Sequence, residues 1–464
     1  MPDLLAQIHY AMKTTRDGGV EADPEILSHN VESVIDGALA RAGPSASEIC
    51  AVATSCFWHS LIGVMSDGRP ATPVYIWADT RSSSMVHVLR QHFDERAVHS
   101  RTGCVFHSSY LPAKLLWLSR TVPEVFRRTA RWMSFGEYFQ GRVFHRYLCS
   151  HSMASATGLY QQNSRTWDTE LLRFLDAAPE KLSPLARRKE TLTDMEAAYA
   201  ARWTALRSVA WLPALGDGAC SNIGCGCISP ERLAIMVGTS GALRVMHETE
   251  SIEIPEGLWC YRADEKRFLI GGALSNGGLL YTWLRETLQL GDSVALEERL
   301  AAEQPDQHGL TMLPFLAGER SMGWHSEARG AIVGLSVHTR PIEILRAGLE
   351  SVALRFAQVA DAIREVTPGI REVVASGGAL LSSRTWTQIM ADVLGHLVIA
   401  SGEKEASSRG AALLALESLG FAPGLDAFSA SMGEIFEPDR VKHEVYRRAR
   451  ARQEQLYSLL INQT

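Results

Sequence analysis

The sequence predicts a two-domain α/β protein with a ligand cleft between its domains. Three observations carry that expectation. The chain has 464 residues, more than one hydrophobic core usually organises. Strand-like and helix-like segments alternate along most of it, the pattern of helices laid on a sheet. No low-complexity stretch or flexible linker separates the halves, so they are expected to pack closely around a cleft, with a boundary near Pro230 that gives domains of residues 1–229 and 230–464.

The elements follow from local chemistry. Residues 4–12 read as a strand. Asp23 and Pro24 then supply an N-cap and a first-turn proline. Ile26, Leu27, Val31, Val34, Ile35 and Leu39 share one helical stripe, and Gly43 ends the helix. A strand over residues 49–54, a hairpin turned at Ser66-Asp67-Gly68 with its return arm at 74–77, a strand at Trp132 and a helix from Gly136 continue the first half. In the second half, apolar arms flank Gly238-Thr239-Ser240-Gly241 and Asp264-Glu265-Lys266, which predicts two hairpins. Helices are predicted from Gly278 and over 342–366, 384–394 and 408–419, with strands over 372–376 and 397–400. The second half thus opens on a glycine-turned hairpin, whereas the first opens at what would be its third strand.

Composition narrows the function. The 46 basic and 52 acidic residues leave a net charge of -6, and 46% of residues are hydrophobic. A chain of that kind has no electrostatic preference for nucleic acid or an anionic membrane. No apolar run approaches the ~18 residues of a spanning helix, and residues 1–10 lack the basic start and apolar core of a signal peptide, so a cytoplasmic location is expected. Eight thinly spread cysteines read as reduced thiols. Cys220, Cys225 and Cys227 lie close together, yet no C-x-x-C pair or nearby histidine completes a site, and no metal-binding residue is assigned. Assembly as a homodimer stays open.

Three stretches bear chemistry. Gly238-Thr239-Ser240-Gly241 lets backbone N–H groups point inward without Cβ obstruction and adds two hydroxyls, so it can cradle a phosphate; an ordinary tight turn asks for the same residues. Upstream, Asp217 stands between Gly216 and Gly218, where a carboxylate on a close-approach loop can take a proton from a substrate hydroxyl, or can cap the helix that follows. Downstream, Ser376-Gly377-Gly378 joins an apolar strand to a helix, where glycines let a flat ligand lie against the backbone at a helix N-terminus.

Taken together, these residues resemble the FGGY carbohydrate kinases of the actin-like, RNase-H-like ATPase superfamily. The resemblance covers nearly the whole chain and rests on six motifs in order. Thr54-Ser55-Cys56-Phe57-Trp58-His59 is similar to a sugar-contacting strand end, Trp77-Ala78-Asp79-Thr80-Arg81 to a W-x-D-x-R substrate motif, and Gly216-Asp217-Gly218 to the catalytic loop. Gly238-Thr239-Ser240-Gly241 resembles a phosphate motif, Gly318-Glu319-Arg320 a G-E-R motif, and Ser376-Gly377-Gly378 an adenosine motif.

The resemblance implies two actin-like domains around a central nucleotide cleft, with ATP and Mg²⁺ as phosphate donor and metal. It makes Asp217 the base that deprotonates the sugar hydroxyl, and Gly238, Thr239, Ser240, Gly241, Gly278, Thr282, Gly377 and Gly378 nucleotide contacts. Trp58, His59, Asp79 and Arg81 would contact an open-chain substrate. Two bland readings stay open: His59 as a satisfied core histidine, and Arg81 as a mere partner of Asp79. Residues 102–118, 134–139 and 153–168 look most like gluconate kinases, and a gluconate carboxylate asks for a cation that Arg81 or Lys114 would supply. Lys114 lies in an apolar helix and could instead snorkel to water. Xylulose or another pentulose or polyol is the second substrate class.

One departure stands out. The family's opening strand and turn, D-x-G-T-[ST], has no counterpart before Leu4, and Thr14-Thr15-Arg16-Asp17-Gly18-Gly19 has similar residues in a different order. The first domain is therefore expected to be truncated at its N-terminus, with its first two strands absent. Two readings follow: a sugar-acid kinase whose reading frame starts further upstream, or a degenerate, non-catalytic protein that binds a sugar or nucleotide.

Overall fold

The computed structural model describes residues 4–291 and 293–461. In the first half the helix Pro24–Ala42 begins as its sequence dictates, the Asp23 carboxylate accepting from the N–H groups of Glu25 (2.8 Å) and Ile26 (3.0 Å), and it ends at Gly43 with φ 52°. The ladders here are very short. Ala51–Val52 runs parallel to Ala210–Trp211, and Ser55–Cys56 parallel to Leu215–Gly216. Val20–Ala22 lies between Lys13–Thr14 and Val74–Tyr75, and Ile62–Val64 pairs with Arg131–Met133.

One expectation is corrected here. Residues 4–12 form no strand. A strand exists only where a neighbour supplies N–H and C=O groups, none of the described strands borders this segment, and Leu5, Ile8 and Tyr10 are exposed. The hairpin turned at Ser66-Asp67-Gly68 is present: Met65 N donates to Arg69 O (2.8 Å), Ala71 N to Gly63 O (2.7 Å), and Leu61 and Tyr75 exchange both backbone bonds (2.9 Å each), with Val74–Tyr75 in the return arm.

The second half matches its predicted elements closely. One seven-stranded mixed sheet has the order Trp259–Arg262, Arg267–Leu274, Gly241–Glu248, Arg232–Val237, Glu372–Ser376, Leu397–Ser401, Met432–Phe436. The helices Pro341–Val366 and Arg384–Leu394 pack on each other, and Phe356, Val359, Ile363, Trp386 and Ile389 bury their side chains in a core that belongs to this half alone.

The halves are joined at two places. The helix Asp217–Gly224 crosses Ala406–Ser418 so closely that a Cβ on Gly224 would collide with the Ala406 carbonyl, and one on Gly410 with that of Cys220. The edge strand Trp259–Arg262 is covered by the first half: Cys260 donates its backbone N–H to Gly103 O (3.0 Å), and Arg262 to Ser155 Oγ (2.9 Å). The first half's hydrophobic core accordingly includes Met246, Trp259, Tyr261, Ala411, Leu414 and Leu425 from the second.

Candidate active site

The parallel pairing of Ser55–Cys56 with Leu215–Gly216 places residues 54–59 beside Asp217. Asp217 Oδ1 accepts from the N–H of Gly218 (2.8 Å) and of Trp58 (3.3 Å), and Oδ2 has no hydrogen-bond partner among the described residues. Asp217 is the first residue of its helix rather than the cap, which is Gly216, and within the helix its side chain accepts only from the adjacent Gly218 N–H, so the capping alternative is set aside. Burial holds its pKa above the ordinary carboxylate range, while the two N–H groups and the nearby Arg244 pull it back. Arg244 reaches this loop from the strand Gly241–Glu248 and donates to Gly218 O at 2.8 Å.

Trp58 supports the same loop. Its indole N–H donates to Ser152 O (2.9 Å), and its ring fills the space that a Cβ on Gly216 or Gly218 would need. Its polar edge is thus committed to the protein.

On the sugar side, His59 (φ 61°) hydrogen-bonds Ala156 O through Nδ1 at 2.6 Å, and its ring meets Tyr110 and Tyr261 edge-on at 5.1 and 5.6 Å. Burial, reinforced by the charges of Lys114 and Arg320, pushes its pKa down to about 3, so it is a neutral imidazole with Nε2 left to accept a hydroxyl. Asp79 is buried and accepts from Val20 N (3.1 Å) and from Arg81.

Arg81 differs from its expected role. Its guanidinium is bound to Asp79 and to Glu21 (2.9 Å), with the Tyr75 and Trp117 rings beside it, so its charge is neutralised within the protein. Lys114 does not snorkel: it is buried and donates to Ser108 O (2.7 Å) and Ser109 O (2.5 Å). Burial brings its pKa down to about 7, with Asp79 opposing the shift. In the sequence Arg320 stands only as part of a motif, with no place in the site assigned to it. Its guanidinium lies 5.4 Å from the Trp77 ring and forms no hydrogen bond or ion pair with any other described residue. Its neighbour Glu319 is instead locked in the core by Arg355 and by the Tyr457 hydroxyl at 2.7 Å.

The nucleotide-side motifs meet. The Gly278 N–H donates to Gly238 O (2.7 Å), and those of Gly277 and Leu279 donate to Thr239 O (3.1 and 3.0 Å). Gly377, at φ 93°, lies so close to the Val237 backbone that a Cβ would collide with it. The hydroxyls of Thr239 and Ser240 have no hydrogen-bond partner among the described residues. Gly241 closes the hairpin opposite Val237, and Thr282 is exposed one turn beyond Gly278 on the helix Gly278–Thr287.

All eight cysteines are free. Asp306, His308 and Glu350 cluster within metal-binding reach, but the group satisfies itself. Leu310 N donates to His308 Nδ1 (3.0 Å), which leaves Nε2 to carry the proton toward Glu350 (3.0 Å), and Arg346 and Tyr446 hold the other Glu350 oxygen. No helix among the described residues is long and apolar enough to cross a membrane.

A two-domain α/β fold that gathers a buried carboxylate loop, a glycine-turned hairpin and a strand-end glycine pair is that of the actin-like, RNase-H-like sugar kinases. Residues 5–224 match the N-terminal domain, and residues 233–419 the C-terminal domain, of the FGGY family of carbohydrate kinases; the chain belongs to that family. Family membership makes it a phosphotransferase with an alcohol group as acceptor.

The chain is 28% identical to a gluconokinase of Bacillus subtilis, over 83% of this chain and 77% of the relative, and 30% identical to a glycerol kinase of Leptothrix cholodnii, over 95% and 90%. A gluconate kinase structure from Lactobacillus acidophilus superimposes with a TM-score of 0.89 at 26% identity, over 98% of this chain and 92% of that one. A ligand-bound xylulose kinase structure from the same organism gives the same values.

Proposed function

We propose that this kinase transfers the γ-phosphoryl group of ATP to the terminal hydroxyl of gluconate, giving 6-phosphogluconate. The observation that carries the reading is Arg320, a buried-rim cation with no acid partner among the described residues, set among Trp77, Tyr110 and Tyr261, with Lys114 and Arg320 both acting electrostatically on His59. An unpaired guanidinium in such a pocket favours a carboxylate, which it can bind in bidentate fashion. The gluconokinase and gluconate kinase relatives support the same substrate.

In this reading Arg320 and Lys114 hold the carboxylate end, and His59 Nε2 and Asp79 accept hydroxyls along the chain. Asp217 Oδ2 accepts the proton of the terminal hydroxyl as its oxygen attacks phosphorus in line. Thr239 and Ser240 hold phosphate oxygens, Gly278 and Thr282 lie along the nucleotide, and Gly377 and Gly378 leave room for its base. The Thr239-Ser240 turn offers neutral donors only, a donor set that fits a nucleotide entering as its Mg²⁺ chelate; the metal supplies charge neutralisation at the phosphates when bound.

The test is an ADP-release assay over gluconate, other aldonic acids, xylulose and glycerol. Gluconate is expected to give the highest kcat/KM. Xylulose is the second reading, favoured by the xylulose kinase whose structure superimposes equally well, and a higher kcat/KM with xylulose would establish it instead.

A further inference from the structure

Behind the catalytic loop lies a cavity of about 300 Å³ that contains none of the residues assigned above to sugar or nucleotide. Both domains build it. The first contributes segments around Ser152, Arg188 and Leu215; the second contributes the hairpin turn at Asp264 to Arg267 and the C-terminal turn of the helix Ala406–Ser418. A volume of this size accommodates a small metabolite. Its floor is apolar, formed by Leu212, Pro213, Leu215, Ala263 and Leu414.

The charge around its rim is unbalanced. Three of its four acids are already committed: Glu190 to Arg146 (2.9 Å), Asp264 to Arg267 (2.7 Å), and Glu417 also to Arg267. The fourth, Glu265, lies 3.6 Å from a neutral His151 and within electrostatic reach of Arg165 and Arg188, without an ion pair to either. Four cations, Arg187, Arg188, Lys189 and Lys266, have side chains with no hydrogen bond or ion pair to another described residue. Three of them are consecutive, and Lys189 holds φ 60°, a left-handed conformation that non-glycine residues rarely adopt.

The cavity also shares a wall with the catalytic machinery. Ser152 lines it, and the same residue accepts from Gly216 N through Oγ (3.0 Å) and from the Trp58 indole through its carbonyl. Leu215, one residue before that glycine, is part of the floor.

We propose that this cavity binds a small organic polyanion, its acidic groups on the Arg187-Arg188-Lys189 rim and its carbon skeleton on the apolar floor. Because the lining comes from both domains and meets at the glycine crossing of Asp217–Gly224 with Ala406–Ser418, the occupant fixes one opening of the cleft. Its affinity is thereby linked, reciprocally, to that of the nucleotide. Polycarboxylates and phosphate esters share the required chemistry.

Citrate and 3-phosphoglycerate, with trehalose as neutral control, serve as calorimetric probes of the full chain, with and without saturating ADP and gluconate. At least one acid is expected to bind with a Kd below about 1 mM, trehalose not to bind, and the acid that binds identifies the source. The double variant Arg188→Glu/Lys189→Glu should weaken that binding at least tenfold. Ser418→Trp, which plugs the cavity without touching a charge, should do the same, while Asp217→Asn should leave it intact. Occupancy should also change the KM for ATP at least twofold.

No binding by either acid, binding that both variants retain, or displacement by ADP and gluconate would each overturn the site. An unchanged KM would overturn the effector role. The binding arm holds whether or not gluconate is the substrate, so its failure is distinct from failure of the kinase reading.

Discussion

The hydroxyls of Tyr110 and Tyr261 lie 2.6 Å apart, one phenol from each domain, and both rings are buried. Through this pair the helix that carries Lys114 meets the edge strand of the nucleotide-side sheet, and the two rings form the wall shared by His59 and Arg320. The sugar pocket is thus a property of the closed interface rather than of either domain. Tyr261→Phe leaves the Tyr110 hydroxyl with one partner fewer and should cost about 1–3 kcal/mol of stability, read by denaturant unfolding.

Arg320→Ala should raise the KM for gluconate by roughly one to two orders of magnitude, the weight of a charge-assisted pair of about 1.5–3 kcal/mol, and change that for a neutral sugar far less. Arg81→Ala should behave differently. It strips the cation from buried Asp79 and leaves Glu21 with Lys13 alone, so thermal stability should fall while any loss of binding strikes acid and neutral sugars alike. Steady-state kinetics on both substrates, with melts alongside, separate the two arginines.

Lys114 makes substrate affinity depend on pH. Its pKa is depressed to about 7, so it is cationic below that value and neutral above it. The KM for gluconate should therefore rise as pH increases through 7, while that for xylulose stays flat. A Lys114→Met variant should lose the difference, and a pH profile that the substitution leaves unchanged would remove Lys114 from carboxylate recognition.

Asp217→Asn should lower turnover by roughly a hundredfold to ten-thousandfold with ATP and sugar binding retained. In the unaltered protein the base must be ionised. Because burial raises its pKa, activity should fall as pH drops through a value above the usual ~4 of a carboxylic acid. Arg244→Met removes the neighbouring positive charge and should move that limb to still higher pH, measurable in kcat between pH 4 and 7.

Gly410→Val should force apart the helices Asp217–Gly224 and Ala406–Ser418, because any Cβ there meets the Cys220 carbonyl. Overpacking of this kind costs about 1–3 kcal/mol, and here it also shifts the loop that carries Asp217, so stability and kcat should drop together.

The second half was legible because its strands run to eight residues, are mostly apolar and are bounded by glycine-containing turns; the strand Glu372–Ser376 and the helix Arg384–Leu394 lie where periodicity puts them. The first half was not, because its ladders are two or three residues long and their partners are remote: Ala51–Val52 finds its neighbour at Ala210–Trp211. Residues 4–12 alternate like a strand, but alternation cannot report that no partner lies alongside.

The site shows the same division. Which residues gather was visible from motif order, yet which arginine keeps its charge free was not. Arg81 pairs with Asp79, the alternative its sequence leaves open, and also with Glu21, sixty positions away, whereas Arg320 escapes quenching because Glu319 turns inward to Arg355. Lys114 reads from its sequence either as a carboxylate's cation or as a stem reaching for water; the second is excluded, because two carbonyls just before its own helix receive it.

The shared core bears on synthesis. The second half owns a complete apolar interior, whereas the first borrows Ala411, Leu414 and Leu425 to close its own. Those residues leave the ribosome some 200 positions after Gly224, a delay of roughly 10–40 s at ~5–20 residues per second. For that interval the leading half presents uncovered hydrophobic surface. The yield of folded protein should therefore respond more to elongation rate than the stability of the finished protein would indicate, because the first core closes only when the helix Ala406–Ser418 has been made.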